Sequence, residues 1–543
     1  MPTAAAQPKL EQELEQKLSA LNVQESEERT KQAAGKAGLP YLDLKRFPID
    51  SGAVFLVKES DAHSGQLAVI ARTGQTVRVA VTDPAAVFTQ KILDQLKTDG
   101  YQVEVVMVST VSLAVAWRRY QLKRDTQTDL GVVHINQSEL AGLEAQIKDV
   151  ADLKERLTSL PITQVLNVMI AGALKTGASD IHFEPEETTI RLRYRLDGVL
   201  YDIVNFDPTG YKQLLSRIKL MSGLKINLHD VPQDGRFTVR EENTDIEVRV
   251  SVLPGAYGEN IVMRLLDPAT IRQKLEDLGM RPDTLETIKK LLAKTTGALL
   301  TTGPTGSGKT TTLYAFIKHI NSPDSKVITI EDPIEYHIPG ISQTQVDNEA
   351  GYTFAGGLRS IVRQDPDVIL VGEIRDVETA EIALQAALTG HLVFSTLHTN
   401  DAAGTIPRLI DFGIKPVTIA PALNAVMAQR LVRKLCPDCK KVAPSKAEDM
   451  AIIERHLKET PRELTYPGQC PKCNQTGYQG RVGVYELFAI NEEMEKLIQS
   501  GPAISDIQRL AVKQGMVTLL QDGLMKVVAG LTSIEEVMRV IGE

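Results

Sequence analysis

The chain has 543 residues, of which 43% are hydrophobic and 24% charged, and its formal net charge is −8. This length exceeds what one hydrophobic core usually supports, so we expect roughly three or four domains. The sequence contains no apolar run of about 18 residues and begins without the charged-then-apolar pattern of a signal peptide, which favours a cytoplasmic protein. The acidic total argues against a broad nucleic-acid surface, so no nucleic-acid partner is expected.

The N-terminal part predicts a polar tail and a small domain. Residues 1–37 are rich in Gln, Glu, Lys and Ala, which either supports one amphipathic helix at 10–21 or leaves the tail largely mobile. A small α/β domain is predicted over 38–120, because a helix-like stretch at 85–96 lies among short β-like runs. Those runs are residues 54–57, 67–70, 77–81 and 103–106.

The middle of the chain predicts a linker and a second domain. Residues 121–160 are polar, with a charged helical stretch at 138–157, as is typical of a linker. An amphipathic helix over 162–175 then opens a domain that we expect to cover 161–270. Its predicted strands, recognised by alternating residue types, are 189–195 and 245–252.

The remaining domain, predicted over 271–543, contains a phosphate-binding loop. The loop follows an apolar run at 298–300 and precedes a helix-compatible stretch at 311–317. Its backbone N–H groups and the helix N-terminus suit phosphates, while Lys309 would reach the β- and γ-phosphates and the Thr310 hydroxyl would ligate Mg²⁺. The predicted nucleotide-binding residues are Gly303, Pro304, Thr305, Gly306, Ser307, Gly308, Lys309, Thr310 and Thr311.

Two apolar runs in this domain end in carboxylates. Residues 327–330 lead into Glu331-Asp332-Pro333-Ile334-Glu335, and residues 368–371 lead through Gly372 to Glu373. Open α/β sheets bind their ligands at the carboxyl ends of strands. One such carboxylate can hold Mg²⁺ through water, and another can orient or deprotonate the attacking water.

Four basic residues are less specific candidates. Arg359 and Arg363 share one face if they lie on a helix, where they would clamp phosphate, contact an adjacent subunit, or form a plain surface ion pair. His391 and His398 flank a strand-like core, and both are expected near the nucleotide edge of the sheet. The alternative for each histidine is a hydrogen-bonded core or surface position.

The chain has four cysteines, in two Cys-x-x-Cys pairs: Cys436, Cys439, Cys470 and Cys473. In a reducing compartment, four thiolates at this spacing favour tetrahedral Zn²⁺, with a redox pair or free thiols as the alternative. Because protein supplies all four ligands, the site would be structural. The predicted lobe covers about 436–473, and a helical C-terminal segment follows it.

These motifs resemble the secretion ATPase superfamily, specifically the type II secretion and type IV pilus assembly ATPases. The resemblance covers about 38–543 and runs in the family's order: the Walker A loop at 303–310, an aspartate box at 330–336, a Walker B segment ending in Gly372-Glu373, and a histidine box at 389–400. Further family-like segments are 178–185, 195–198, 233–236 and the two cysteine pairs.

The resemblance implies an α/β, multidomain protein with a RecA-like P-loop ATPase core, a PAS-like domain at 161–270 and the small N-terminal domain. It implies a homo-hexameric, Mg²⁺-dependent ATPase. Arg249 and Arg264 would reach the nucleotide from the PAS-like domain. Glu335 would activate water, Glu373 would be the Walker B acid, and His398 is the further catalytic candidate.

The resemblance also indicates the work that is done. Retraction-type ATPases lack the first domain and the tetracysteine lobe, so this chain is similar to an assembly or secretion motor. Such a motor is cytoplasmic and peripherally associated with the inner face of the cell membrane, where a platform protein provides its only membrane contact. The expected function is type IV pilus assembly. The alternatives are a type II secretion pseudopilus motor and, ranked lower, a nucleic-acid translocating motor.

Overall fold

In a computed structural model of the chain, the described residues are 26–542, apart from 45–46, 48, 74, 118–119, 121–131, 134–149, 160–161, 242–243, 267–272 and 349. The chain divides into two compact units, Met1–Val132 and Val133–Glu543. The helix considered at 10–21 and most of the helical stretch predicted at 138–157 lie outside the described residues. Residues 26–37, at the end of the predicted tail, are helical.

The first unit contains a three-stranded sheet in the order β1-β2-β3. β1 pairs antiparallel with β2, and β2 pairs parallel with β3 after a crossover through helix α3. Its elements are α1 (Ser51–Val54), α2 (Glu59–Ser64), β1 (Leu67–Thr73), β2 (Thr76–Val81), α3 (Val87–Thr98) and β3 (Gln102–Met107). Residues 110–117 are also helical, and β4 (Val132–Val133) lies where the two units join in sequence.

The strand predicted at 54–57 is wrong. Val54 ends α1, and the next residues turn toward α2. Tyr120 explains why this apolar run is not extended: its hydroxyl donates to the carbonyls of both Val54 and Val57, at 2.8 and 2.9 Å. A run of four apolar residues has no period of its own, so tertiary contacts decide its conformation.

The second unit begins with an antiparallel sheet covered on one face by helices. Its main strands follow the order β8-β9-β10-β5-β6-β7. Along β6, Ile190, Leu192 and Tyr194 are buried while the intervening arginines lie on the other face. The elements are α4 (Val150–Ser159), α5 (Ile162–Thr176), β5 (Ala178–Pro185), β6 (Ile190–Leu196), β7 (Val199–Phe206), α6 (Pro208–Met221), β8 (Gln233–Glu241), β9 (Thr244–Gly255) and β10 (Gly258–Leu266).

The same unit continues into a larger sheet in the order β13-β12-β14-β15-β11-β16-β19, parallel except for β19. Strands β11, β12, β14 and β15 are entirely buried, as expected of a sheet with helices on both faces. The strands are β11 (Gly297–Thr302), β12 (Val327–Glu331), β13 (Ser342–Gln345), β14 (Val368–Val371), β15 (Leu392–Leu397), β16 (Leu423–Leu435) and β19 (Tyr478–Ala489).

The helices around this sheet are α7 (Pro282–Leu292), α8 (Lys309–Ile320), α9 (Phe354–Val362), α10 (Val377–Leu388), α11 (Thr405–Asp411) and α12 (Pro416–Ala422). A lobe between β16 and β19 contains the hairpin of β17 (Lys441–Pro444) and β18 (Glu463–Tyr466), with α13 (Ala447–Leu457) between its strands. The C-terminal helices are α14 (Glu492–Gln499), α15 (Ile504–Lys513), α16 (Leu519–Val528) and α17 (Ile534–Ile541).

Candidate nucleotide and metal sites

The phosphate loop joins buried β11 to α8, which begins at Lys309. Gly303 and Gly308 have φ angles of 148° and 88°, which favour glycine. The limited space at both positions also favours glycine. A Cβ on Gly303 would lie 2.6 Å from the Gln429 carbonyl oxygen, and one on Gly308 would lie 2.8 Å from the Gln429 side-chain nitrogen. The loop is therefore packed directly against β16.

The loop has polar groups for an anion. The Lys309 ammonium donates to the carbonyls of Gly303 and Pro304, at 2.6 and 3.1 Å. Burial lowers the pKa of Lys309 to about 8, and the charge of Glu373 partly opposes this shift. The buried Ser307 hydroxyl has no hydrogen-bond partner among the described residues. The glycine cradle, the enclosed cation and this free hydroxyl all fit the phosphates of a nucleotide.

A cavity of about 590 Å³ opens above the loop, between the two sheets of the second unit. The predicted nucleotide-binding residues that line it are Thr305, Gly306, Gly308, Lys309, Thr310 and Thr311. The antiparallel sheet contributes Ser179 and Arg264 to the opposite side. Glu335, Glu373 and His398 also line the cavity, so the structure brings together most of the site residues predicted from separate motifs.

The two predicted carboxylates have different neighbours. Glu373, just beyond β14, contacts the Arg375 guanidinium, and one of its carboxylate oxygens lies 3.4 Å from His398 Nε2. Glu335 accepts a hydrogen bond from Arg249 of β9 at 3.1 Å. Glu331 instead is buried and accepts hydrogen bonds from Tyr314 of α8 and from neighbours of its own sheet, including the Thr329 hydroxyl at 2.6 Å. Of this acidic cluster, Glu335 and not Glu331 has a partner from the antiparallel sheet.

Both predicted arginines of the antiparallel sheet are already paired. Besides Glu335, Arg249 contacts the Ile334 carbonyl oxygen. Arg264 lies opposite Arg249 in the β9–β10 register, and its Nε donates to the buried carboxylate of Asp180 at 2.9 Å. Each guanidinium is therefore held close to the cavity by a carboxylate of the same chain.

The expectation that His391 lies near the nucleotide edge is wrong. His391 precedes β15 and His398 follows it, so the two residues lie at opposite ends of one strand. His391 Nδ1 lies 3.0 Å from the Ala386 carbonyl oxygen, at the end remote from the phosphate loop. Only His398 is therefore brought into the cavity.

Arg359 and Arg363 do not line the cavity. Arg359 of α9 forms an exposed ion pair with Glu378 of α10, which is the plain alternative considered from the sequence. The helix ends at Val362, and Arg363 donates to the Ser360 hydroxyl at 3.3 Å. Of the two residues, Arg359 thus lies within the helix and Arg363 is its C-cap.

Sequence patterns missed four basic residues near the site. Lys318, Arg375 and Arg481 line the cavity, and Arg430 is buried beneath the phosphate loop. The sequence offers a signal for Arg375, because this residue follows the predicted Glu373 by two positions. Gln429-Arg430 also left a signal, since two adjacent polar residues interrupt a run that is otherwise apolar.

The four cysteines form one cluster in the lobe, with all Sγ atoms within 4.8 Å of one another. The Sγ–Sγ distances are 3.9 Å for Cys436–Cys470, 3.8 Å for Cys439–Cys473 and 3.6 Å for Cys470–Cys473. A tetrahedron with Zn–S bonds of about 2.3 Å has edges of about 3.8 Å, whereas a disulfide is about 2 Å long. The cluster therefore fits a zinc ion and not a pair of disulfides.

Burial raises the pKa of the Cys439 thiol to about 12, and it also raises the pKa of Cys436. Burial acts in the same direction on Cys473, but hydrogen bonds with its neighbours outweigh it and lower the pKa of that thiol to about 7. Thiolates at Cys436 and Cys439 consequently need a positive charge beside them. The four cysteines would hold a zinc ion, which when bound would supply that charge and crosslink the two ends of the lobe.

Comparison with known proteins identifies the family. Residues 155–539 match the family model "Type II/IV secretion system protein", and residues 37–127 match the "MshEN domain". The chain belongs to the type II/IV secretion system protein family. Like the ATPases of this family, it is an ATP-hydrolysing enzyme.

Individual relatives agree with this assignment. The chain is 37% identical over 506 residues to the "Type IV pilus assembly ATPase PilB" of Myxococcus xanthus, covering 92% of this chain and 88% of the relative. It is 42% identical over 494 residues to the "Type II secretion system protein E" of Pectobacterium carotovorum, covering 89% and 96%. The Legionella pneumophila ATPase DotB has the same RecA-like fold, with a TM-score of 0.51 at 24% identity over 69% of this chain and 94% of that one.

Among the helices of the described residues, none is both long enough and apolar enough to cross a lipid bilayer.

Proposed function

We propose that this protein is a hexameric motor that hydrolyses ATP to ADP and phosphate and thereby powers type IV pilus assembly at an inner-membrane platform. One observation supports the proposal most strongly. The cavity above the phosphate loop is bounded on its far side by Arg264, while Glu335 is paired with Arg249. The groups needed for phosphoryl transfer therefore come from two different sheets of the second unit.

Each side chain has a chemical task in this proposal. Lys309 and the loop N–H groups bind the β- and γ-phosphates. Thr310 and Glu373 provide the hard oxygen ligands that suit Mg²⁺, which when bound neutralises phosphate charge. Glu335 orients and deprotonates the attacking water. His398 holds the Glu373 carboxylate in place, and Arg249 and Arg264 stabilise charge on the equatorial oxygens.

In this proposal, replacement of the Arg249–Glu335 ion pair by bound nucleotide couples the catalytic cycle to movement. While Arg249 is bound to Glu335, neither side chain is available for its catalytic task. Bound triphosphate offers the arginine a stronger anion, and its transfer frees Glu335 for water. That exchange requires a shift between the antiparallel sheet and the ATPase core, so each catalytic cycle moves one domain against the other. In a ring of six chains, such shifts deliver work to an axial partner.

We assign the parts of the chain accordingly. The small domain at 38–120 follows the polar tail 1–37 and docks on the platform protein. Of the predicted linker at 121–160, the last part is helix α4, whose Leu153 and Leu157 are buried in the core of the antiparallel-sheet domain, so the linker ends before Val150. The PAS-like domain at 161–270 and the ATPase domain at 271–543 form the motor. The protein works in the cytoplasm, peripherally at the inner face of the cell membrane, and contacts the membrane only through this partner. The domain match at 37–127 supports a separate N-terminal module.

A type II secretion pseudopilus motor is the second candidate. It is supported by the 42% identity to a type II secretion system protein E over 96% of that relative. The two candidates share the same chemistry and differ in the filament that is built.

The deciding experiment replaces the native gene with one encoding Glu373→Gln, then counts surface pili and measures exoprotein release. Loss of pili with normal release supports pilus assembly, whereas normal pili with loss of release supports the secretion motor. A matched strain encodes Glu378→Gln, which alters an exposed carboxylate. Normal pili and normal release in the Glu373→Gln strain would contradict both candidates.

A further inference from the structure

Strand β16 extends beyond its neighbour and passes under the phosphate loop. The pairing of β11 with β16 ends at Thr302 and Ala428, and β16 continues with Gln429 and Arg430. Both side chains are enclosed, with exposures of 1% and 9%. A Cβ on Gly303 would lie 3.0 Å from an Arg430 guanidinium nitrogen. The underside of the loop therefore rests on a buried cation.

Gln429 secures one end of the loop. Its side-chain oxygen accepts a hydrogen bond from the buried Thr312 hydroxyl of α8 at 2.8 Å, and its side-chain nitrogen lies against Gly308. These contacts fix the start of α8, where Lys309 and Thr310 lie. The Gln429 side chain thus contacts the loop and its helix.

Arg430 reaches a second segment. Its guanidinium donates to the Gln429 carbonyl at 3.0 Å and to the Asn400 carbonyl at 2.6 Å. Asn400 belongs to the segment 398–404, which begins with His398. This segment is also fixed from below, because the buried Glu486 carboxylate accepts a hydrogen bond from the Ala402 N–H at 2.9 Å. Arg430 therefore packs against the phosphate loop at Gly303 and is hydrogen-bonded to the segment that follows β15.

The electrostatic surroundings suit a nearby anion. Burial lowers the pKa of Arg430, with the charges of Glu486 and Asp401 opposing the shift. The positive charge of Arg430 also lowers the pKa of Lys309, although burial is the larger cause. Two partly desolvated cations therefore lie beside the phosphate cradle, and nucleotide phosphates would compensate both.

We propose that Arg430 is a positioning residue that fixes the position of the phosphate loop relative to the segment 398–404, so that bound phosphates are aligned with the Glu373–His398 pair. The inference rests on the proposed function, in which this pair acts in hydrolysis. Nucleotide occupancy would be transmitted through Arg430 to the segment 398–404. A purely structural arginine would contribute to stability and transmit nothing.

The test compares Arg430→Gln with a control, Arg281→Gln. The control removes a similarly enclosed guanidinium, which donates to buried Asp522 at 3.1 Å and does not line the cavity. For the full-length wild type and both variants, hydrogen exchange of peptides covering 398–404 is measured with and without ADP. Steady-state kcat and KM for ATP and the affinity for ADP are measured on the same samples.

We expect ADP to slow exchange at 398–404 in the wild type and the control but not in Arg430→Gln. The kcat of Arg430→Gln should fall about tenfold or more while ADP affinity changes less than about threefold, because Lys309 and the loop N–H groups remain. The proposal is overturned if ADP leaves exchange at 398–404 unchanged in the wild type, or if Arg430→Gln matches the control in exchange and kcat.

Two further points keep the test decisive. Because exchange with ADP needs no turnover, a protein that fails to hydrolyse ATP would contradict the proposed function and still test the link through Arg430. If Arg430→Gln does not fold, Arg430→Lys takes its place. Lysine keeps the charge but cannot donate to both carbonyls in the geometry of the guanidinium, so the same loss of ADP-dependent protection is expected.

Discussion

The cysteine cluster and the nucleotide cleft differ in how completely the folded chain has prepared them for their ligands. Four thiols already stand at the distances of a zinc tetrahedron. In the cleft, by contrast, the Lys309 ammonium donates a hydrogen bond to its own loop, and the Arg249 guanidinium donates one to Glu335. A site for a permanent ion would gain from being preformed, whereas the nucleotide site of the proposed motor would gain from internal hydrogen bonds that its ligand must replace.

We therefore expect the cysteine cluster to affect the stability of the fold and the nucleotide cleft to affect movement. Zinc binding should contribute free energy to the fold of its lobe and little to the chemistry. Nucleotide binding should spend part of its free energy on breaking resident contacts, and that part becomes available as movement. Changes in the two regions should therefore have effects of different kinds.

The largest effect should come from Lys309→Ala in the cleft. Losing charge-assisted hydrogen bonds to phosphate should weaken ATP binding about 10²-fold, because each is worth about 1.5 kcal/mol or more. Equilibrium titration of the variant measures this directly. Lys290→Ala, which changes an exposed lysine paired with Glu286, is the control. Equal ATP affinity in Lys309→Ala and the wild type would remove Lys309 from the binding site.

Glu373→Gln should separate binding from chemistry within the cleft. The uncharged amide keeps the shape of the side chain but lowers kcat by about 10²-fold, with ATP affinity nearly unchanged. Steady-state hydrolysis and nucleotide titration on one preparation test this expectation. A wild-type kcat in Glu373→Gln would show that this carboxylate takes no part in turnover.

Cys436→Ser tests the cysteine cluster. Removing one of four ligands should release the metal and unfold the lobe locally, while the phosphate loop still binds ATP. Metal analysis and limited proteolysis of 436–473 provide the measurements. Ser445→Ala, in the same lobe but outside the cluster, should keep its metal. Retention of stoichiometric zinc by Cys436→Ser would contradict the metal site.

The smallest effect concerns the proton on Lys309. Because burial lowers its pKa to about 8 in the free protein, a growing fraction is neutral as the pH rises above 8. Phosphate binding favours the charged form, so ATP should bind with proton uptake near pH 8.5 and with falling affinity at higher pH. Calorimetry in buffers of different ionisation enthalpy detects the uptake. Lys309→Arg should abolish it, and an equal uptake in that variant would assign the proton to another group.

The sequence predicted best where a motif is contiguous or its period is clear. The phosphate loop follows β11 as expected, the helix predicted over 162–175 is α5, and the apolar runs before Glu331 and Glu373 are β12 and β14. The four cysteines come together because their chemistry allows few alternatives. In these cases the local pattern and the tertiary structure favour the same conformation.

Prediction failed where tertiary contacts decide. Residues 54–57 have the composition of a strand, yet Tyr120 holds their carbonyls in a turn. His391 and His398 look equivalent in sequence, but they lie at opposite ends of the parallel strand β15. Arg430 gave no motif, because its role depends on Asn400, a residue of another segment.

The most direct test of the account is turnover by Arg249→Gln at saturating ATP. The matched control is Arg193→Gln, whose arginine lies on β6 of the same sheet and pairs with Glu184 and Asp202. If Arg249 leaves Glu335 to stabilise transferring phosphate, kcat should fall by about tenfold to 10²-fold, ATP affinity should hold or rise slightly, and the control should retain wild-type kcat. An unchanged or higher kcat in Arg249→Gln would mean that the Arg249–Glu335 contact only restrains the cleft, and it would contradict the proposed exchange.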